Sequence, residues 1–159
     1  MAKGKPKIPE HLYDVDASLL SNRFLMLPPE LLESKAFQEL SIAARLLYIT
    51  ICTHKQAEIQ RACLKNALED YNRIFDLGMS AGEIYDEATP NKRTKYSKGY
   101  FVFPNKHAEA YGFKKNYCTK LMKELIQKGF IKVAYGGKGK YGGWNTNVTV
   151  YQFSNEWKK

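Results

Sequence analysis

The stretch YGFKKNYCTKLMKELIQKGFIKV, Tyr111–Val133, decides how this chain is read. Inside it, Cys118, Leu121, Met122 and Leu125 stand at i, i+3, i+4 and i+7, the spacing of one buried helix face. That spacing predicts a helix over Lys114–Lys128, with Gly112 in the turn before it and Gly129 just past its end. The opposite face carries Lys115, Asn116, Thr119, Lys120 and Lys123, with Lys114 and Tyr117 near the N-terminal end. One side of this helix needs a core. The other is a solvated lysine face or a face laid on something negative.

The charge distribution favours the second. The 159-residue chain has a formal net charge of +9. Residues 1–54 hold six bases and six acids, and residues 55–111 hold nine bases and eight acids. Residues 112–159 hold ten lysines against only Glu124 and Glu156. Charge gathered in one third of a chain describes a surface, and nucleic acid is the commonest partner of a basic surface. Length and a 44% hydrophobic content predict one globular domain with a real core. No apolar run approaches the roughly 18 residues of a membrane span, so no membrane partner is expected. The basic N-terminus lacks the apolar segment of a secretory signal, which makes the cytoplasm the expected compartment. Cys52, Cys63 and Cys118 form no CxxC pair and are read as small core residues.

Residues 1–20 read as a flexible basic tail. Pro29 can open a one-turn helix through Leu32, and Phe37 and Leu40 point inward from a second turn. Ser41 caps a helix over 41–54, whose buried face is assigned to Ala43, Leu46, Leu47, Thr50 and Ile51. A turn at His54-Lys55 leads to a helix over 56–75 with the stripe Leu64, Leu68, Tyr71 and Phe75, ended by Gly78. Ser80 and Glu83 have capping-box spacing before a short helix over 83–87. A polar, basic loop fills 88–99, YFVFP at 100–104 reads as a strand, and 105–111 as a short helix. FIKVAY and TNVTVYQFS then form a hairpin within 130–153, with Lys138 and Lys140 on its glycine-rich tip. The expected class is α+β, mainly helical.

From Tyr100 onward the order is strand, helix, turn, helix, hairpin. With the helix at 41–54, this resembles the winged helix-turn-helix fold. The segment AEAYGFKKNYCTKLMKELIQKGFIKV is similar to the two-helix and first-wing-strand segment of bacterial winged-helix regulators and replication initiators. Lys114 departs from the pattern, which often has Ser or Thr at that helix start. The resemblance implies one winged-helix domain over 21–159, with a helical insertion at about 55–99 and the helix-turn-helix and wing at about 100–155. It implies double-stranded DNA as the partner. Lys114, Lys115, Asn116, Tyr117, Thr119, Lys120 and Lys123 would lie on the reading helix, and Lys138 and Lys140 on the wing. FLMLPPELLESKAFQELSIAARLLYI also resembles the N-terminal segment of plasmid- and phage-type replication initiators. That implies replication initiation or transcriptional control of a bacterial mobile element.

Chemistry is sparse by comparison. His11, His54 and His107 share no metal-ligand spacing, and His107 is read as a surface or phosphate-contacting group. GGKGK lacks the spacing of a phosphate-binding loop. Tyr141 and Trp144 are read as packing at the wing base. No cofactor, metal or enzymatic activity is expected. The alternative function is a protein-interaction module or adaptor, with residues 55–88 contacting a second copy or a replication or transcription protein.

Overall fold

The computed structural model describes residues 25, 27–55, 58–89, 98–136 and 148–159. The N-terminal tail, most of the loop at 88–99, and Lys138, Lys140, Tyr141 and Trp144 of the hairpin tip lie outside the described residues. Helices α1 (Pro29–Glu33), α2 (Lys35–Gln38), α3 (Ile42–His54), α4 (Glu58–Phe75) and α5 (Ala81–Ala88) come first. Strand β1 (Tyr100–Val102), helices α6 (Asn105–Ala110) and α7 (Lys115–Gln127), and strands β2 (Ile131–Tyr135) and β3 (Val150–Phe153) follow. The chain is α+β and mostly helical, with one small antiparallel sheet in the order β1-β3-β2.

The sheet sorts the core into two layers because successive strand residues face opposite sides. Phe101, Ile131, Tyr151 and Phe153 face α1, α2, α3, α6 and α7. Tyr100, Val102, Val150 and Tyr135 face α4 and α5. β1 is therefore buried at all three positions.

In the first layer α7 buries the predicted seam of Cys118, Leu121, Met122 and Leu125. Ser41 caps α3 as expected, its hydroxyl accepting from the Ala44 N–H at 3.2 Å. The Ser41 N–H and hydroxyl also donate to the Glu124 carboxylate, at 2.7 and 2.9 Å, which fixes the start of α3 against α7. The buried face of α3 differs from the expectation. It consists of Ala44, Leu47, Tyr48, Ile51 and His54, whereas Leu46 is 56% exposed and Ile42 82%. α3 is apolar on both sides, so periodicity does not choose a face. Packing chooses it: Tyr48 meets Phe130 edge-on at 5.4 Å between ring centroids.

In the second layer α4 buries Leu64, Ala67, Leu68 and Tyr71, but Phe75 is 44% exposed. The helix stops at Phe75, and Asp76 at φ 47 takes the left-handed position ahead of Gly78, the residue expected to end it. The capping box of α5 is complete, Ser80 Oγ accepting from the Glu83 N–H and the Glu83 carboxylate accepting from the Ser80 N–H. No helix among the described residues is long and apolar enough to cross a membrane.

Candidate nucleic-acid interface

The basic face is set by the turn before α7. Gly112 adopts φ +84, a conformation that costs other residues strain, and swings the chain from α6 into α7. Phe113 is buried beside it and anchors the entry. Lys114 is the N-cap of α7 and makes no side-chain cap hydrogen bond, so its ammonium is not tied to the helix end.

Lys114, Lys115, Asn116, Tyr117, Thr119, Lys120 and Lys123 are all exposed. The helix that buries the seam thus turns all seven of its predicted site residues to solvent. None of the four lysines has an ion pair among the described residues. The single acid of α7, Glu124, is engaged with Ser41 and does not neutralise them. The Thr119 hydroxyl donates to the Lys115 carbonyl at 3.0 Å, so it offers a ligand its methyl group and lone pairs. The other two predicted site residues, Lys138 and Lys140, lie outside the described residues.

In the opposite layer the described residues carry the opposite sign. Residues 58–89 hold seven acids against three bases, while residues 98–136 hold eight bases against two acids. Glu87 is the buried member of the acidic set. It accepts from the backbone N–H groups of Lys98 and, at 3.3 Å, Tyr100.

One cluster escaped the sequence reading. His54 and His107, separated by 53 residues, meet with His54 Nε2 2.9 Å from His107 Nδ1. The Tyr111 hydroxyl lies 3.1 Å from His54 Nδ1. Both histidines are buried, so His107 is not the surface or phosphate-contacting group expected. The correction has a simple cause: α6 faces α3 with His107 and Ala108, and no local spacing records that pairing. Burial, reinforced by the neighbouring His107, lowers the His54 pKa to about 4. Burial and then Lys106 lower that of His107. Both imidazoles are therefore neutral at pH 7. Two hydrogen-bond directions satisfy the chain of three groups, one running from Tyr111 to His107 and one the reverse. Phe103 closes the cluster edge-on to His54 at 5.4 Å. Among the described residues, no group of three or more His, Cys, Asp or Glu is placed to hold a metal ion.

No protein-family model matches the chain, and no curated protein or solved structure matches it either.

Proposed function

We propose that this chain is a winged-helix protein that binds double-stranded DNA sequence-specifically, with α7 as its reading helix and the β2–β3 hairpin as its wing. The observation that carries the reading is the division of α7. A buried seam holds the helix rigid, and an unneutralised face of four lysines, Asn116, Tyr117 and Thr119 points outward. A rigid helix can hold a side chain within hydrogen-bond reach of one base edge, and an asparagine suits adenine. Lys138 and Lys140 supply phosphate contacts from the wing. The resemblance of residues 24–49 to replication initiators supports a role in replication initiation or transcriptional control of a mobile element.

The test is selection of bound duplexes from a random pool, followed by Asn116→Ala on the selected site. The variant is expected to lose about 1–3 kcal/mol at that site, little elsewhere, with its salt slope unchanged. Loss of affinity alike on all duplexes would remove α7 as a sequence reader.

The adaptor reading draws on a different observation. Ile42 and Leu46 of α3 are exposed beside half-buried Ile49, an apolar stripe of the kind protein partners cover. Salt separates the two readings. Phosphate contacts release counterions and give a steep decline of affinity with salt, which an apolar contact does not.

A further inference from the structure

Tyr111 inverts the usual arrangement of an exposed tyrosine. Such residues ordinarily pack the ring on protein and leave the hydroxyl in water. Tyr111 is 44% exposed, yet its hydroxyl is turned inward to the buried His54. His107 holds His54 from the far side at 2.9 Å. Phe103 lies roughly parallel to the Tyr111 ring, with centroids 6.4 Å apart and planes at 26°. The one polar group of the side chain is thus engaged inside, and what it offers outward is ring.

The position of that ring matters. Tyr111 is the C-cap of α6 and stands in the turn that feeds α7. Exposed Lys106 and Glu109 precede it and exposed Lys114 and Lys115 follow it, three cations to one acid. An aromatic surface in a turn with an excess of cations complements a nucleotide, whose phosphate suits the lysines and whose sugar or base suits the ring.

We propose that Tyr111 forms a nucleotide-contact subsite at the α6–α7 turn, its ring taking the sugar or base of one nucleotide while His54 and His107 hold it from behind. The subsite rests on the nucleic-acid reading above and extends it to a residue outside the lysine face of α7. His54 and His107 are positioning residues that do not touch the nucleotide. A side chain held from within loses less freedom on binding than a loose one. The shared chemistry, an apolar nucleotide surface, has two sources. One is a sugar on a paired strand and the other is an unpaired base, which adds stacking.

The test uses the full chain, the duplex recovered by selection, and the same duplex with a short unpaired segment in one strand. Tyr111→Ala is expected to weaken binding about tenfold, the order of one lost stacking contact. The slope of log affinity against log salt should not change, because no charge is removed. A loss confined to the DNA with the unpaired segment assigns the contact to a base, and an equal loss on both DNAs assigns it to a paired-strand sugar. Wild-type affinity of Tyr111→Ala on both overturns the subsite. If Tyr111→Ala does not fold, Tyr111→Phe decides. It keeps the ring and removes the tether, so it should weaken binding severalfold when measured well below the Tm of the variant, and unaltered affinity overturns the proposal. Failure of the wild-type chain to bind either DNA overturns the nucleic-acid reading itself, a result distinct from a silent Tyr111.

Discussion

The two faces of the sheet differ in packing and in charge. The layer of α3, α6 and α7 surrounds an aromatic core of Phe37, Tyr48, Phe101, Phe103 and Phe130; on its outer face Lys114, Lys115, Lys120 and Lys123 make no ion pair among the described residues, whereas Lys128 pairs with Glu39 at 3.0 Å. The layer of α4 and α5 packs Leu64, Leu68, Tyr71 and Ile84 on the other side, and its described residues 58–89 are net acidic. Under the nucleic-acid reading proposed above, a polyanion would be drawn to the lysine face of α7 rather than to residues 58–89.

The largest effect should come from the seams that hold each layer to the sheet. Leu125 in α7 and Leu68 in α4 are both 0% exposed. Leu125→Ala and Leu68→Ala should each cost about 2–5 kcal/mol in denaturant unfolding. Because β1 and β3 serve both layers, each variant should unfold in a single transition. A second transition in Leu68→Ala alone would break the comparison and make the acidic layer a separately folding attachment.

The next effect tests the asymmetry of charge. Replacing Lys115, Lys120 and Lys123 with alanine should weaken duplex binding about 10- to 100-fold and flatten the salt slope by up to about 2.7 units. Replacing Arg61, Lys65 and Arg73 of α4 removes the same charge from the other layer and should leave the slope unchanged. Equal slopes for the two triple variants would mean that DNA does not distinguish the faces.

The two layers also differ in how plainly the sequence announced them. α7 was legible because its faces differ: lysines mark one side, and only Cys118, Leu121, Met122 and Leu125 can fill the other. α3 was legible in extent but not in orientation. Its cap is Ser41, yet Leu46 and Leu47 are equally apolar and only the neighbouring α7 and Phe130 decide that Leu47 goes in. The packing of α4 on the reverse of the sheet, and the meeting of His54 with His107, are contacts between segments distant in sequence. No periodicity encodes them. Their only trace was an aromatic-rich strand, YFVF, with apolar residues on both its faces.

pH should separate the layers in a third way. His54 has its pKa lowered from 6.5 to about 4 by burial, so folding favours its neutral form. Its contribution to stability is complete above pH 6.5 and is lost as the pH falls through about 4. Between pH 7 and pH 5 the loss from His54 should be about 1–2 kcal/mol, and His54→Phe should remove that share and leave the one due to His107, whose pKa burial also lowers. In the other layer the titrating contact is the capping box. Hydrogen bonds from the backbone and side chain of Ser80 lower the Glu83 pKa below 4.5, so its contribution persists at pH 5 and disappears only in stronger acid. Unfolding curves of His54→Phe and Glu83→Gln across this range should therefore depart from the wild type in different windows. Departure in the same window would assign the acid sensitivity to some other group.

The smallest effect concerns a cost confined to the acidic layer. Gln60 lies in the first turns of α4, is 1% exposed, and continues the buried stripe of Leu64, Ala67, Leu68 and Tyr71. Neither its amide nitrogen nor its amide oxygen has a hydrogen-bond partner among the described residues. An amide buried in this way gives up its hydrogen bonds to water without replacement, a cost that a leucine of similar size avoids. Gln60→Leu should therefore stabilise the chain by about 1 kcal/mol, seen as a higher denaturant midpoint at an unchanged slope. DNA affinity should not move, because α4 lies behind the sheet from α7. A destabilised Gln60→Leu would show that the amide does have a partner outside the described residues. If DNA affinity fell as well, the two layers would not act independently.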